Sequence, residues 1–134
     1  MRVVAGSARG RRLVAPEGRD TRPTGDRVRQ AVFNALTSLD AVVDARVLDL
    51  YAGSGALGIE ALSRGAAHAT FVERSSVALA AIRANLDTTG LGGRATVVQA
   101  DALSWLPARD AVDLALVDPP YAFAEWSSLL GRVG

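Results

Sequence analysis

From Val47 onward the chain alternates short, apolar, β-prone runs with glycine turns and helical stretches, a pattern that few architectures satisfy. Runs at 46–50, 69–73, 95–98 and 113–117 read as strands. Stretches at 57–64, 76–88 and 124–130 read as helices, with a short turn at 101–106. Strands joined through helices pair in parallel, because a tight turn cannot bring the chain back in the same direction. The fold class is therefore α/β, with a mostly parallel sheet. Right-handed crossovers place the first strand centrally, the second and third to one side and the fourth to the other. Ligands of such sheets bind at the carboxyl ends of the strands where strand order reverses, here between the first and fourth strands.

Two motifs follow those strand ends. Gly53-Ser54-Gly55-Ala56-Leu57-Gly58 follows the first, with Asp49 before it and Glu73 20 residues after Gly53. Glycines let the backbone approach a ligand closely, and an acid ending the second strand can accept hydrogen bonds from ribose hydroxyls. Both features serve a dinucleotide and S-adenosylmethionine (SAM) alike. Asp49 bears on the choice, because an acid ends the strand four residues before the first glycine, where a carboxylate can face the cationic amino-acid end of SAM. Asp101, after the third strand, can accept from an adenine amino group, which would complete a cradle of Asp49, Glu73 and Asp101.

The second motif, Asp118-Pro119-Pro120-Tyr121, lies 69 residues after Asp49 and ends the fourth strand. The exocyclic amine of a base is a poor nucleophile, its lone pair being delocalised into the ring. The Asp118 carboxylate and the Pro119 carbonyl can each accept one amino hydrogen and so aim the lone pair at a sulfonium methyl. Positioning would supply most of the acceleration. Successive prolines stiffen the turn, and Tyr121 can stack on a base drawn out of its helix.

The 134 residues include no cysteine and a single histidine, His68, which leaves no disulfide framework and no cysteine-based metal site. No metal is expected. Met1 to Val4 lacks the apolar core of a signal peptide and no window approaches the length of a membrane span, so the expected location is cytoplasmic, away from membranes. Net charge is +1, but 8 of the 15 basic residues, against 3 acids, fall in residues 1–29, leaving 7 against 11 afterwards. All the basic residues are arginine. A basic terminus ahead of a mildly acidic body suits a phosphate backbone, although a solvated terminus would look the same. Residues 2–5 and 11–15 read as a β-hairpin with Arg9, Arg11 and Arg12 at its turn, and residues 1–25 as an arm distinct from a domain at 26–134. Thr24 or Asp26 is expected to cap a helix that buries Val28, Val32, Leu36 and Leu39 and leaves Arg27 and Arg29 off that stripe.

Taken together, these residues resemble the RsmD-type 16S rRNA guanine-N2 methyltransferases. The resemblance rests on Ala5-Gly6 with Arg9 to Leu13, on Arg22-Pro23-Thr24 with Asp26 to Arg29, on Phe33-Asn34, on residues 48–62 and on Asp118 to Tyr121. It implies a Rossmann-like, SAM-dependent methyltransferase sheet carrying an N-terminal β-hairpin arm. It also implies transfer of one methyl to the 2-amino group of guanine-966, with the small ribosomal subunit or a late precursor as partner and a monomeric enzyme. Carried onto matching positions, Asp49, Tyr51, Gly53, Ser54, Gly55, Glu73, Asp101 and Ala102 would bind cofactor. Asp118, Pro119, Pro120 and Tyr121 would be catalytic, and Arg9, Arg11, Arg12, Arg22, Thr24, Arg27 and Arg29 would contact rRNA. Members of such families carry further strands after the fourth, so the chain reads as part of a longer protein whose sheet is incomplete on its C-terminal side.

Overall fold

The computed structural model describes residues 1–16, 25–102 and 112–117. Four parallel strands, β1 (Arg46–Leu50), β2 (His68–Glu73), β3 (Ala95–Gln99) and β4 (Leu114–Val117), lie in the order β3-β2-β1-β4. This is the order that right-handed crossovers require. Helices α1 (Asp26–Ser38), α2 (Ala56–Ser63) and α3 (Ser76–Thr89) complete the described elements, with a 3-10 turn at Gly92–Arg94 before β3. The helix expected at 124–130, and most of the turn expected at 101–106, lie outside the described residues. Among the described residues no helix is long and apolar enough to cross a membrane.

Strand alternation sends side chains to two cores. Val47, Ala69, Phe71 and Leu116 pack with Ile59, Leu62, Leu79 and Ile82, while Leu48, Leu50 and Val72 pack with Ala102 on the opposite face. Burial on both faces explains why the strands are apolar almost throughout. Register levels the carboxyl ends: Leu50 lies opposite both Val72 and Val117, and Glu73 lies opposite Gln99. Local signals fix α3 between them. The Ser75 hydroxyl accepts the Ala78 N–H at 3.3 Å, and Gly90, at φ 72°, ends the helix in the left-handed region.

The N-terminal hairpin is reduced to one antiparallel bridge, Arg2 to Arg12, flanked by Val3 N–H to the Arg11 carbonyl and Leu13 N–H to the Met1 carbonyl, both at 2.9 Å. Several of its other polar groups turn to α2 instead of a partner strand. Glu60 accepts the N–H groups of Val4 (2.9 Å) and Ala5 (3.1 Å). Ser63 accepts the Ala8 N–H at 3.0 Å and donates to the Ala5 carbonyl at 2.6 Å. Val3, Ala8 and Leu13 enter the larger core, so residues 1–16 are docked on the sheet domain.

Helix α1 departs from expectation. Val28, Val32 and Leu39 are 56%, 40% and 76% exposed, whereas Arg29 and Phe33 are fully buried and Leu36 packs against the core. Two stripes at helical spacing compete in this segment, and the one beginning at Arg29 faces inward. It carries the helix's one aromatic, Phe33, and its arginine finds two acids. Arg29 pairs with Asp26 at 2.7 Å and approaches Glu60 at 3.5 Å, while it donates to the Arg2 carbonyl. Burial of the guanidinium is tolerated because it is paired and hydrogen-bonded. The cap also differs: Gly25 is the N-cap, Asp26 is the first helical residue, and Thr24 lies outside the described residues.

Candidate cofactor site at the carboxyl ends of the strands

The chain leaves β1 through Tyr51, whose φ of 55° is unusual for a residue with a side chain, and turns through Gly53 and Gly55 at φ 59° and 81°. The three glycines of the loop do different work. A Cβ on Gly58 would lie 2.4 Å from the Phe71 ring, and one on Gly55 would touch Ile82 and Phe71 at 3.4 Å, so both positions serve packing of α2 against β2 and α3. Among the described residues a Cβ on Gly53 would meet only the Tyr51 carbonyl, at 3.9 Å. Among the described residues Gly53 is thus the glycine of the motif that no side chain crowds, which is the geometry a ligand's close approach demands.

Two of the three expected acids hold this loop. Glu73, 7% exposed, accepts the Gly53 N–H at 3.0 Å through one oxygen and the Ser75 N–H at 2.9 Å through the other. Asp49, 1% exposed, accepts the Gly58 N–H at 2.9 Å. It shares a strand face with Val47, which turns it toward α2. The loop's shape is thereby written in carboxylates as well as glycines. Asp101 is exposed just beyond β3, and Ala102 beside it is buried in the smaller core. Ser54 is buried, and its hydroxyl accepts the Ala56 N–H at 3.3 Å. Asp49, Tyr51, Gly53, Ser54, Gly55 and Glu73 therefore gather around one turn, with Asp101 at the end of the strand beyond β2.

Asp118, Pro119, Pro120 and Tyr121 lie outside the described residues, as does Arg22. Val117, the residue before Asp118, pairs with Leu50 at the root of the glycine loop.

Of the arginines expected to meet RNA, Arg9, Arg11, Arg12 and Arg27 are exposed. Arg29 is corrected: it is fully buried and cannot reach a polynucleotide, because Asp26, Glu60 and the Arg2 carbonyl hold it beneath the N-terminal segment. Sequence reasoning also passed over Glu60, Ser63 and Asn85, all buried. Their signal was present, since Glu60 and Ser63 interrupt the apolar α2 and Asn85 lies among Ala81, Ile82 and Leu86 on the buried side of α3. A polar residue at a core position of a helix marks something it must bond.

Asp26 titrates abnormally. Partial burial pushes its carboxyl up, but hydrogen bonds from Arg29 and the Arg2 N–H, with the charges of Arg29 and the N-terminus, outweigh this and hold it below its ordinary value.

Known proteins resemble this chain in sequence and in fold. Ribosomal RNA small subunit methyltransferase D of Escherichia coli (strain K12) is 43% identical over 122 residues, which are 90% of this chain and 60% of that protein. A protein of Bacillus subtilis (strain 168) is 42% identical over 134 residues, 97% of this chain and 72% of its own length. The solved structure of a hypothetical protein from Thermus thermophilus superposes with a TM-score of 0.88 at 35% identity, covering 98% of this chain and 78% of that one. The chain spans about three fifths of the length of the E. coli relative. The family model described as Conserved hypothetical protein 95 matches residues 1–133, and the chain belongs to that family.

Proposed function

We propose that this chain carries the cofactor and catalytic residues of a SAM-dependent methyltransferase acting on the exocyclic 2-amino group of a guanine in 16S rRNA, guanine-966 by family resemblance. The observation that carries the reading is the pairing of Val117 with Leu50, by which β4 ends level with the strand that leads into the glycine loop. The open side of Gly53 and the fixed Glu73 carboxylate fit a nucleoside cofactor. SAM, when bound, supplies a methyl on a sulfonium. Glu73 would hold the ribose, Asp49 would orient the loop toward the amino-acid end, and Asp101 would accept from the adenine. Asp118 and the Pro119 carbonyl would fix the guanine amine while Tyr121 stacks on the base, with Pro120 stiffening the turn. The name of the E. coli relative supports small-subunit rRNA as the acceptor. Arg9, Arg11, Arg12, Arg22 and Arg27 are the proposed phosphate contacts.

The test is transfer of labelled methyl from SAM to small ribosomal subunits lacking the modification, with naked 16S rRNA and genomic DNA in parallel. Label confined to one rRNA guanine is expected. Label in DNA would instead assign an adenine or cytosine amine as acceptor, and a folded chain that binds rRNA without transferring label would be an RNA-binding remnant. Asp118→Ala should abolish transfer while leaving SAM affinity within about twofold, the pattern of a group that acts in the transition state. Arg27→Ala should weaken rRNA binding and flatten its salt dependence by about one unit of slope.

A further inference from the structure

The N-terminal segment and the glycine loop are joined by one side chain. Asn85, 1% exposed on α3, accepts the Val14 N–H at 2.8 Å and donates to the Val14 carbonyl at 2.9 Å and to the Ser54 carbonyl at 2.8 Å. The orientation of its amide is forced, because one partner is a donor and two are acceptors. It therefore replaces a partner strand for Val14 on one side and fixes a carbonyl of the cofactor loop on the other. A second attachment flanks the same loop from α2, where Glu60 and Ser63 hold Val4, Ala5, Ser7 and Ala8. Helix α2 begins at the residue after Gly55, so both attachments bear on the turn that Gly53 and Gly55 make. Between the two attachments the segment carries Arg9, Arg11 and Arg12.

We infer that Asn85 is a positioning residue that couples the arginine-bearing N-terminal segment to the cofactor loop, so that polynucleotide and cofactor each tighten the binding of the other. This rests on the function proposed above. A ligand gripping Arg9 to Arg12 orders the segment and, through Val14 and Asn85, the Ser54 carbonyl. A cofactor ordering the loop returns the effect by the same route, since coupling between two sites is reciprocal.

The experiment uses the full chain and measures the Kd of S-adenosylhomocysteine by titration calorimetry, alone and with saturating 16S rRNA transcript. Wild type should bind S-adenosylhomocysteine about fivefold or more tightly with RNA present. Asn85→Ala should bring that ratio toward one. Val14→Pro removes the N–H that Asn85 accepts, one of the two bonds between Val14 and Asn85, leaves the Asn85–Ser54 bond in place and changes a half-exposed side chain, so it weakens the link should Asn85→Ala fail to fold. It too should lower the ratio while S-adenosylhomocysteine alone binds as in wild type. A merely structural role would lower the melting temperature and leave the ratio intact. Independent binding of the two ligands in wild type, or an unchanged ratio in both variants, overturns the inference and spares the proposed function. Failure of wild type to bind S-adenosylhomocysteine overturns both.

Discussion

The sheet and the seam between residues 1–16 and α2 and α3 are stabilised by opposite means. In the sheet, parallel ladders satisfy the backbone while Phe71, Leu48, Leu50 and Ile82 exclude water. In the seam a short hairpin around one bridge pairs only part of the N-terminal backbone, and side chains take over at the other positions: Glu60 for Val4 and Ala5, Ser63 for Ala5 and Ala8, Asn85 for Val14. Regular pairing distributes its energy over many equivalent bonds. A seam of this kind concentrates it in three residues, and three residues can be edited or modulated.

The largest test of that contrast is Glu60→Ala. Glu60 is fully buried, accepts two backbone N–H groups and the Arg64 guanidinium at 2.8 Å, and lies 3.5 Å from Arg29. Its loss takes the carboxylate from Arg64, leaves buried Arg29 with Asp26 alone as counter-charge and frees two backbone N–H groups; removing one partner of a buried pair costs about 3–5 kcal/mol. Denaturant unfolding should record a loss of that size, and amide exchange should place it first at Val4 and Ala5. A loss below about 1 kcal/mol would show the seam to be ornamental and the contrast false.

A pair of glycine substitutions sharpens the comparison further. Gly58→Ala drives a methyl to 2.4 Å from the Phe71 ring, inside the packed core, and overpacking of this kind costs about 1–3 kcal/mol. That loss should be global, lowering the melting temperature of the whole domain. Gly6→Ala places its methyl 1.9 Å from the Ser63 carbonyl oxygen, at φ 88°, where backbone and not a pliant side chain is in the way. The segment can escape by lifting off α2, so exchange at Ser7 and Ala8 should accelerate while β1 and β2 stay protected. Global unfolding by both variants would mean that segment and sheet form one cooperative unit.

The same contrast decides what the sequence could reveal. Strand positions, strand order and the glycine loop were legible because each follows from a repeating apolar period or from the handedness of crossovers, which act over short stretches of chain. Helix α1 misled for a physical reason: Val28, Val32 and Leu39 make a better apolar stripe on paper, but the burial of Arg29 depends on Glu60, 31 positions away, and no local period encodes that. The division of labour within the loop was hidden likewise. Gly53, Gly55 and Gly58 are equal in sequence, and only the position of Phe71 on β2 shows that two of them face packing while the third, among the described residues, does not.

The smallest effect is a pH dependence confined to the seam. The Asp26 carboxyl is held below its ordinary value of 3.8, so its contribution to stability is fully present above that value and is lost as pH falls through the lower folded value. Its side chain is 43% exposed, and solvent screening makes this contribution a small one beside that of Glu60. Acid should therefore loosen the contact of Arg2 with α1 before it touches the sheet. The expected signature is faster exchange of the Arg2 and Val3 amides below about pH 4, relative to Leu48 and Val72, once the intrinsic rate is divided out. Asp26→Asn should remove that step and leave the rest of the acid transition in place. An identical profile in the variant would transfer the acid sensitivity of the seam to other carboxylates and take from Asp26 any part in holding the N-terminal segment down.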